Sequence, residues 1–66
     1  MTNENNNNEV FMLSTFIGMT LTESASEASK LGLQYLVQGD GDYVTKQIPA
    51  PGVDVKKGDI VLLVYE

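Results

Sequence analysis

Two aspartates, Asp40 and Asp42, stand one residue apart in a glycine-rich segment, residues 39–42. Carboxylates at this spacing could begin a calcium loop or act as a general acid and a general base. A calcium loop needs further oxygen ligands and a distal bidentate glutamate, and none follows here. Acid–base work needs rigid placement and an apolar pocket, whereas the flanking glycines predict a flexible, solvated hairpin turn. The sequence therefore predicts no catalytic residue, no metal site and no cofactor.

The tyrosines offer a different chemistry, because an aromatic ring can stack on a sugar while its hydroxyl hydrogen-bonds at a wet surface. Tyr35 and Tyr43 border the glycine-rich segment. Strand alternation favours a core position for Tyr35 and a surface position for Tyr43 beside Gln47. Each tyrosine taken singly is slightly better explained as a structural residue. Together with a lysine that could pair with a peptide carboxylate, the candidate ligand-binding residues are Tyr35, Tyr43, Lys46 and Gln47.

Composition excludes several classes of function. The chain has 66 residues, enough for one small domain, and a formal net charge of −5 at pH 7. Its basic residues are 4 lysines, of which only Lys56 and Lys57 are adjacent, so the chain lacks the cationic cluster of a nucleic-acid binder. Without cysteine or histidine, it has no disulfide and no cysteine- or histidine-based catalysis. No segment approaches the ~20 apolar residues that span a bilayer, so membrane insertion is not expected.

The N-terminal segment and the helix are the clearest elements. Residues 1–9 contain five asparagines and two glutamates and are predicted to be a disordered tail or linker, ahead of a single domain over residues 10–66. Thr20 and Glu23 have the spacing of a capping box, which predicts a helix over residues 21–31 that ends at a left-handed Gly32. The buried stripe of this helix is expected to comprise Leu21, Ala25, Ala28 and Gly32.

Three strands are predicted over residues 33–38, 43–48 and 60–65, with the first two joined as a hairpin. The last run, Ile60 to Tyr65, is apolar throughout, although one face of a small open sheet normally meets water. Either the N-terminal segment covers the second face, or that face docks on another surface. The predicted fold class is α+β, with one α-helix packed on a small three-stranded β-sheet and a short N-terminal extended segment.

The segment between the last two strands is rich in turn residues. Pro51 and Gly52 suit the central positions of a type II turn, because proline fixes φ and glycine accepts a positive φ. Gly58 predicts a second turn just before the last strand. The residues expected to form turns and the helix cap are Gly18, Thr20, Glu23, Gly32, Pro49, Pro51, Gly52 and Gly58.

The same residues carry a resemblance. The segment from Gln47 to Gly58 has the form Q-x-P-A-P-G-x-x-V-K-K-G and resembles the second half of a PASTA domain, a module of penicillin-binding proteins and bacterial serine/threonine kinases. The segment from Gly18 to Glu23 resembles the family's G-M-T-L-x-E motif, and Gly32-Leu33 resembles the G-L that closes its helix. The likeness runs from about Phe16 to Glu66. It departs upstream, where the family's V-P-D is replaced by Leu13-Ser14-Thr15.

The resemblance implies a non-catalytic accessory module that binds peptidoglycan or muropeptide fragments weakly, packs on its parent's catalytic domain, or does both. The alternative is a purely structural docking or spacer module with no small-molecule ligand. The partners implied are a parent transpeptidase, most like a class B penicillin-binding protein (sporulation-specific ones included), or a neighbouring PASTA domain. The expected location is the extracytoplasmic face of the membrane, as part of a longer membrane-anchored protein.

Overall fold

The computed structural model describes residues 10–66, so the predicted tail over residues 1–9 lies outside the described residues. No helix within residues 10–66 is long and apolar enough to cross a membrane. The elements follow one another as β1 (Val10–Met12), α1 (Leu21–Leu31), β2 (Gln34–Gly39), β3 (Val44–Ile48), β4 (Asp54–Lys56) and β5 (Ile60–Tyr65). One helix and a mixed three-stranded sheet form an α+β fold, which confirms the predicted fold class.

The three-stranded sheet has the order β2-β5-β3. Strand β5 lies in the centre, parallel to β2 and antiparallel to β3. The prediction of a hairpin between β2 and β3 is therefore wrong, because residues 40–43 connect the two edge strands across the end of β5. The apolar residues Val61, Leu63 and Tyr65 on one face of β5 are buried in the core.

The N-terminal segment joins a second, two-stranded sheet. Strand β1 pairs antiparallel with β4, with Phe11 opposite Val55. Beyond β1 the chain stays attached, because the Leu13 N–H donates to the Val53 carbonyl at 2.9 Å and the Gly52 N–H donates to the Leu13 carbonyl at 2.8 Å. Leu13 and Phe16 of this segment belong to the core together with Ala28 of the helix, while Ile48 and Ile60 on the opposite face of the sheet stay exposed.

Helix α1 begins and ends with local hydrogen bonds. The Thr20 side chain accepts from the Glu23 N–H at 3.2 Å, and the Glu23 carboxylate accepts from the Thr20 N–H at 3.0 Å. Gly32 adopts φ 76° and ψ 21°, and its N–H bonds back to the last turn. These bonds satisfy end groups that a helix leaves without partners, so the bounds of α1 follow from its sequence.

The buried side of the helix differs from the predicted stripe. Ser24 and Ala28 are fully buried, whereas Leu21 is 51% exposed. A serine can be buried here because its hydroxyl is satisfied: Ser24 Oγ donates to the Thr20 carbonyl at 2.9 Å and also contacts the Tyr65 hydroxyl. The predicted stripe is thus wrong at Leu21, and a hydrogen-bonded serine occupies the position facing the sheet.

The core lies between α1, the inner face of the three-stranded sheet and the loop before the helix. Its buried members, which come from every part of the described chain, are Leu13, Phe16, Ala28, Leu33, Val44, Val55, Val61, Leu63 and Tyr65. Phe16 has no exposed surface and belongs to the loop, so the loop contributes one of the largest apolar side chains to the core. Burial of such a side chain stabilises a domain by about 1.5–3 kcal/mol.

The segment between β3 and β4 contains a tight turn. The Val53 N–H donates to the Ala50 carbonyl at 3.3 Å, which places Pro51 and Gly52 at the two central positions. Gly52 has φ 90°, as the second central residue of a type II turn requires. The Ile48–Pro49 peptide bond is cis. The type II turn lies between β3 of one sheet and β4 of the other.

Candidate interaction surface

The predicted ligand residues do not form one surface. Tyr35 lies on edge strand β2 in register with Val61, near the start of β5. Tyr43 precedes β3 on the opposite edge, where its carbonyl accepts from the Glu66 N–H at 3.3 Å. Val61 and Glu66, which pair with Tyr35 and Tyr43, lie five residues apart, and five residues span roughly 16 Å along a strand. Tyr35 is therefore separated from Tyr43 both along and across the sheet.

Gln47 is buried rather than available to a ligand. Only 5% of its surface is exposed, and its side chain joins β3 to the loop before the helix. Gln47 Oε1 accepts from the Phe16 N–H at 2.6 Å, while Nε2 donates to the carbonyls of Ser14 and Pro49, both at 3.2 Å. Every one of these partners is a backbone group. The prediction that Gln47 belongs to a ligand-binding surface is wrong, because its side chain is buried and hydrogen-bonded to the backbone of the domain.

A shift in strand register explains this error. The pairing of β3 with β5 is irregular between Val44 and Lys46, as in a β-bulge. A bulge adds one residue and reverses which side chains face inward beyond it. Val44 and Gln47 thus both face the core, and Ile48 is 57% exposed, whereas simple alternation puts Ile48 with Val44. No pattern within the strand's own sequence marks the bulge.

Of the two candidate tyrosines, Tyr43 is exposed as alternation predicts and Tyr35 is more exposed than expected. Tyr35 is 39% exposed although it shares the inner face of the sheet with Val61, because β2 is an edge strand. Tyr65 is 2% exposed and contacts Ser24 through its hydroxyl. Tyr43 is 53% exposed, and Lys46 is exposed on the same edge of the sheet. Tyr43 and Lys46 are therefore the two predicted ligand residues that the structure leaves together and accessible.

The segment with the two aspartates is held against the C-terminal end of β5. The Gly41 N–H donates to the Tyr65 carbonyl at 2.8 Å. A Cβ atom at Gly39 or Gly41 would collide with the backbone of Tyr65 or Glu66. The glycines are thus required by close backbone approach, and the expected flexible hairpin is replaced by a packed connection. Among residues 10–66, no three acidic side chains converge on a point where a metal ion could bind.

The face of the sheet turned away from the helix carries a row of exposed apolar side chains. In register across the three strands lie Leu36 of β2, Leu62 of β5 and Ile48 of β3. Leu36 and Ile48 are 58% and 57% exposed, and Leu62 between them is half-buried. Ile60, two residues along β5, is 52% exposed. We call this surface the outer face and the first three residues the outer row.

Sequence reasoning found this surface only in part. The apolar character of β5 on both faces predicted either a covering segment or a docking face. Within residues 10–66, Leu36, Ile48 and Ile60 of the outer face stay exposed, whereas Val64, near the end of β5 on the same face, is only 6% exposed. Alternation in β2 places Leu36 among Gln34 and Gln38, which suggests a polar face. Leu36 is aligned with Leu62 and Ile48 only by the strand order β2-β5-β3, which the sequence of β2 does not reveal.

The geometry defines a small α+β domain whose sheet exposes one apolar face. A family model of the PASTA domain matches residues 13–66, and the chain therefore belongs to the PASTA domain family. PASTA domains are non-catalytic, although the proteins that contain them can be enzymes. No curated protein sequence matches the chain.

Solved structures with a similar fold include a penicillin-binding protein and the extracellular region of a kinase. Penicillin Binding Protein 2X from Streptococcus thermophilus superposes with a TM-score of 0.75 at 19% identity, over 88% of this chain and 8% of that chain. The extracellular region of the Ser/Thr kinase PrkC from Staphylococcus aureus superposes with a TM-score of 0.73 at 16% identity, over 88% of this chain and 22% of that chain. These identities show the fold alone. Because a penicillin-binding protein and a kinase are both matched, it stays a prediction that the parent of this domain is a penicillin-binding protein.

Proposed function

We propose that this PASTA domain is an accessory module that docks, through its outer face, on the catalytic domain of a larger cell-wall enzyme or kinase. The observation that carries this proposal is the outer row, in which Leu36, Leu62 and Ile48 stand side by side across all three strands. Scattered exposed apolar residues are ordinary on a protein surface, but a contiguous patch on a regular face is typical of an interaction site.

The comparisons favour a domain of the same protein as the partner. In both solved structures the matched fold is a small part of a much longer chain, 8% in one and 22% in the other. A docking face on a small domain would thus meet a larger neighbour. One of these matches is to an extracellular region. We accordingly propose an extracytoplasmic location, in a protein that is anchored in the membrane by segments beyond residues 10–66.

A cysteine-accessibility experiment tests docking directly, because the 66-residue chain contains no cysteine. Ile48→Cys places a thiol on the outer face, and Met12→Cys places one on β1, where the side chain is 69% exposed. Both thiols should react rapidly with a maleimide in the isolated chain at low concentration. In the full-length gene product, labelling at position 48 should slow by about tenfold or more, because a docked face excludes the reagent.

The control position gives the contradicting outcome. Labelling at position 12, quantified by peptide mass spectrometry, should remain rapid in both proteins. Equal labelling rates at positions 12 and 48 in the full-length protein would show that the outer face stays open to solvent. Docking through this face would then be ruled out, while the fold and the family would be unaffected.

A second candidate function is weak contact with peptidoglycan fragments through Tyr43 and Lys46. The observation that favours it is their exposure on one edge of the sheet, where an aromatic ring can stack on a sugar and an ammonium group can pair with a peptide carboxylate. A net charge of −5 opposes binding to anionic wall polymers, so the affinity is expected to be no better than millimolar.

Titration of the ¹⁵N-labelled chain with soluble muropeptides tests this candidate. Amide shifts should concentrate at positions 43 and 46 and disappear in Tyr43→Ala. Tyr35→Ala is the matched control, because it removes an exposed tyrosine from the other edge strand and should leave the titration unchanged. If millimolar ligand moves no amide at Tyr43 or Lys46, the purely structural docking or spacer function remains.

A further inference from the structure

We propose that two copies of this chain pair edge to edge through β2, which makes one continuous six-stranded sheet. Within residues 10–66, β2 pairs with β5 alone and has no strand on its other side. Natural proteins usually protect such an edge with charges, prolines or bulges. Residues 34–39 contain no charge and no proline, and they pair with β5 in unbroken register. This inference goes beyond the proposed docking and does not depend on it.

The backbone of β2 shows which groups face the open edge. The Gln34 N–H donates to the Asp59 carbonyl at 2.9 Å, so Gln34 turns its hydrogen-bonding groups toward β5. Because these groups alternate along a strand, those of Tyr35 and Val37 point away from β5. Tyr35 and Val37 of each copy therefore present an N–H donor and a C=O acceptor to a partner strand.

Symmetry then restricts the register. A two-fold axis perpendicular to the sheet pairs β2 antiparallel with its copy and keeps the two outer faces on the same side. With Leu36 opposite the other copy's Leu36, Tyr35 faces the other Val37. Residues opposite one another with outward backbone groups exchange both hydrogen bonds, so this register forms four of them around the axis.

Side chains on both faces fit this register. On the outer face, the two Leu36 side chains would meet and join the two outer rows into one line across six strands. On the inner face, Tyr35 and Val37 are 39% and 48% exposed in a single copy, and each would cover the other across the new strand pair. An aromatic residue opposite a β-branched one is a stabilising cross-strand pair.

The charges at the two ends of β2 are complementary. Asp40 and Asp42 follow the strand, whereas the Lys57 side chain lies beside Gly32, just before the strand. Extended one or two residues beyond the ends of β2, the register above brings Asp40 of one copy toward Gly32 of the other and thus toward its Lys57. The nearby Asp59 is already paired with Lys56, at 3.7 Å. Antiparallel pairing brings acidic and basic ends together twice, and this selects a second copy as the partner despite the net charge of −5.

Sedimentation of the 66-residue chain from micromolar to millimolar concentration should show a reversible monomer–dimer equilibrium. Leu36→Lys should raise the dimer dissociation constant by about tenfold or more, because it places two like charges opposite each other in an apolar row. Ile48→Lys is the matched control: Ile48 lies in the same row, is equally exposed, and sits on the opposite edge. The dissociation constant of the Ile48→Lys dimer should stay within about twofold of the value for the unsubstituted chain.

The outcomes separate edge pairing from other kinds of association. A chain that remains monomeric at millimolar concentration overturns the proposal. Equal weakening by Leu36→Lys and Ile48→Lys would indicate stacking of two outer faces and also overturns it. Docking on a larger protein, measured by cysteine labelling, could succeed or fail independently of either result.

A charge exchange provides a second test that leaves the apolar residues intact. D40K and K57E should each raise the dissociation constant about threefold to tenfold, since each breaks two exposed ion pairs and creates two like-charge contacts. The double variant D40K/K57E should restore most of the original affinity. If the dissociation constant of the double variant rises by the product of the two single-variant increases, Asp40 and Lys57 do not meet across the dimer and the register is wrong.

Discussion

Gln47 shows how a single side chain can hold two parts of this small domain together. Its amide joins β3 to the backbone of Phe16, Ser14 and Pro49. We expect Gln47→Ala to lower the free energy of unfolding by about 2–3 kcal/mol, because it leaves a buried N–H and two carbonyls without partners. Lys46→Ala, at the neighbouring exposed position, should change it by less than about 0.5 kcal/mol. Urea denaturation measures both, and equal losses would contradict the role assigned to Gln47.

The buried pair of Ser24 and Tyr65 connects the helix to the central strand. Tyr65→Phe should cost about 1 kcal/mol, because it removes one hydrogen bond, while Ser24 keeps its bonds to the helix backbone. Tyr43→Phe, which removes an exposed hydroxyl, should have no measurable effect. A double-mutant cycle with Ser24→Ala would isolate the interaction, and a coupling energy near zero would show that the two hydroxyls do not stabilise each other.

At the scale of elements, the turn over residues 50–53 depends on the conformation of Gly52. A Cβ atom at this position would meet no other atom within 4 Å, yet φ is 90°. A side chain at this position would therefore destabilise the domain through backbone strain rather than through a steric clash. Gly52→Val should lower the free energy of unfolding by more than about 1 kcal/mol. Gly52→Asn should cost less, because asparagine tolerates positive φ better. Thermal melts that rank the two variants equally would contradict this explanation.

The elements themselves divide by how local their signals are. Helix α1 was predicted at its observed bounds, because the capping box and Gly32 act within four or five residues of the ends they define. The three strands of the larger sheet were predicted near their observed positions, but β4 was not predicted, and neither was the strand order. Placing β5 between β2 and β3 depends on contacts far apart in sequence, and residues 39–42 alone resemble an ordinary hairpin turn.

The candidate surface was predicted less well than the fold, for the same reason. Tyr43 and Lys46 are exposed as expected, whereas Gln47 was misplaced by the irregularity between Val44 and Lys46. The outer row could not be recognised from any one strand, since its three members come from three strands whose adjacency is a property of the sheet. Surfaces built across strands require the strand order before they can be predicted.

At the scale of the whole molecule, the two faces of the sheet should respond differently to the same kind of change. Val44 and Ile48 both belong to β3, but Val44 is 1% exposed in the core and Ile48 is 57% exposed on the outer face. Val44→Thr should lower the free energy of unfolding by about 1–3 kcal/mol, because it buries a hydroxyl without a partner. Ile48→Thr should change it by no more than about 0.5 kcal/mol, since threonine is also compatible with a strand.

Chemical denaturation at micromolar concentration, where the chain is expected to be monomeric, measures both free energies. A loss at Ile48→Thr as large as at Val44→Thr would show that the outer face already packs against part of the chain, and docking on another domain would lose its surface. The expected small loss means instead that the apolar outer face contributes little to the stability of the isolated domain. Its apolar side chains would then stabilise the molecule only when a second surface covers them, which is the behaviour required of a docking face.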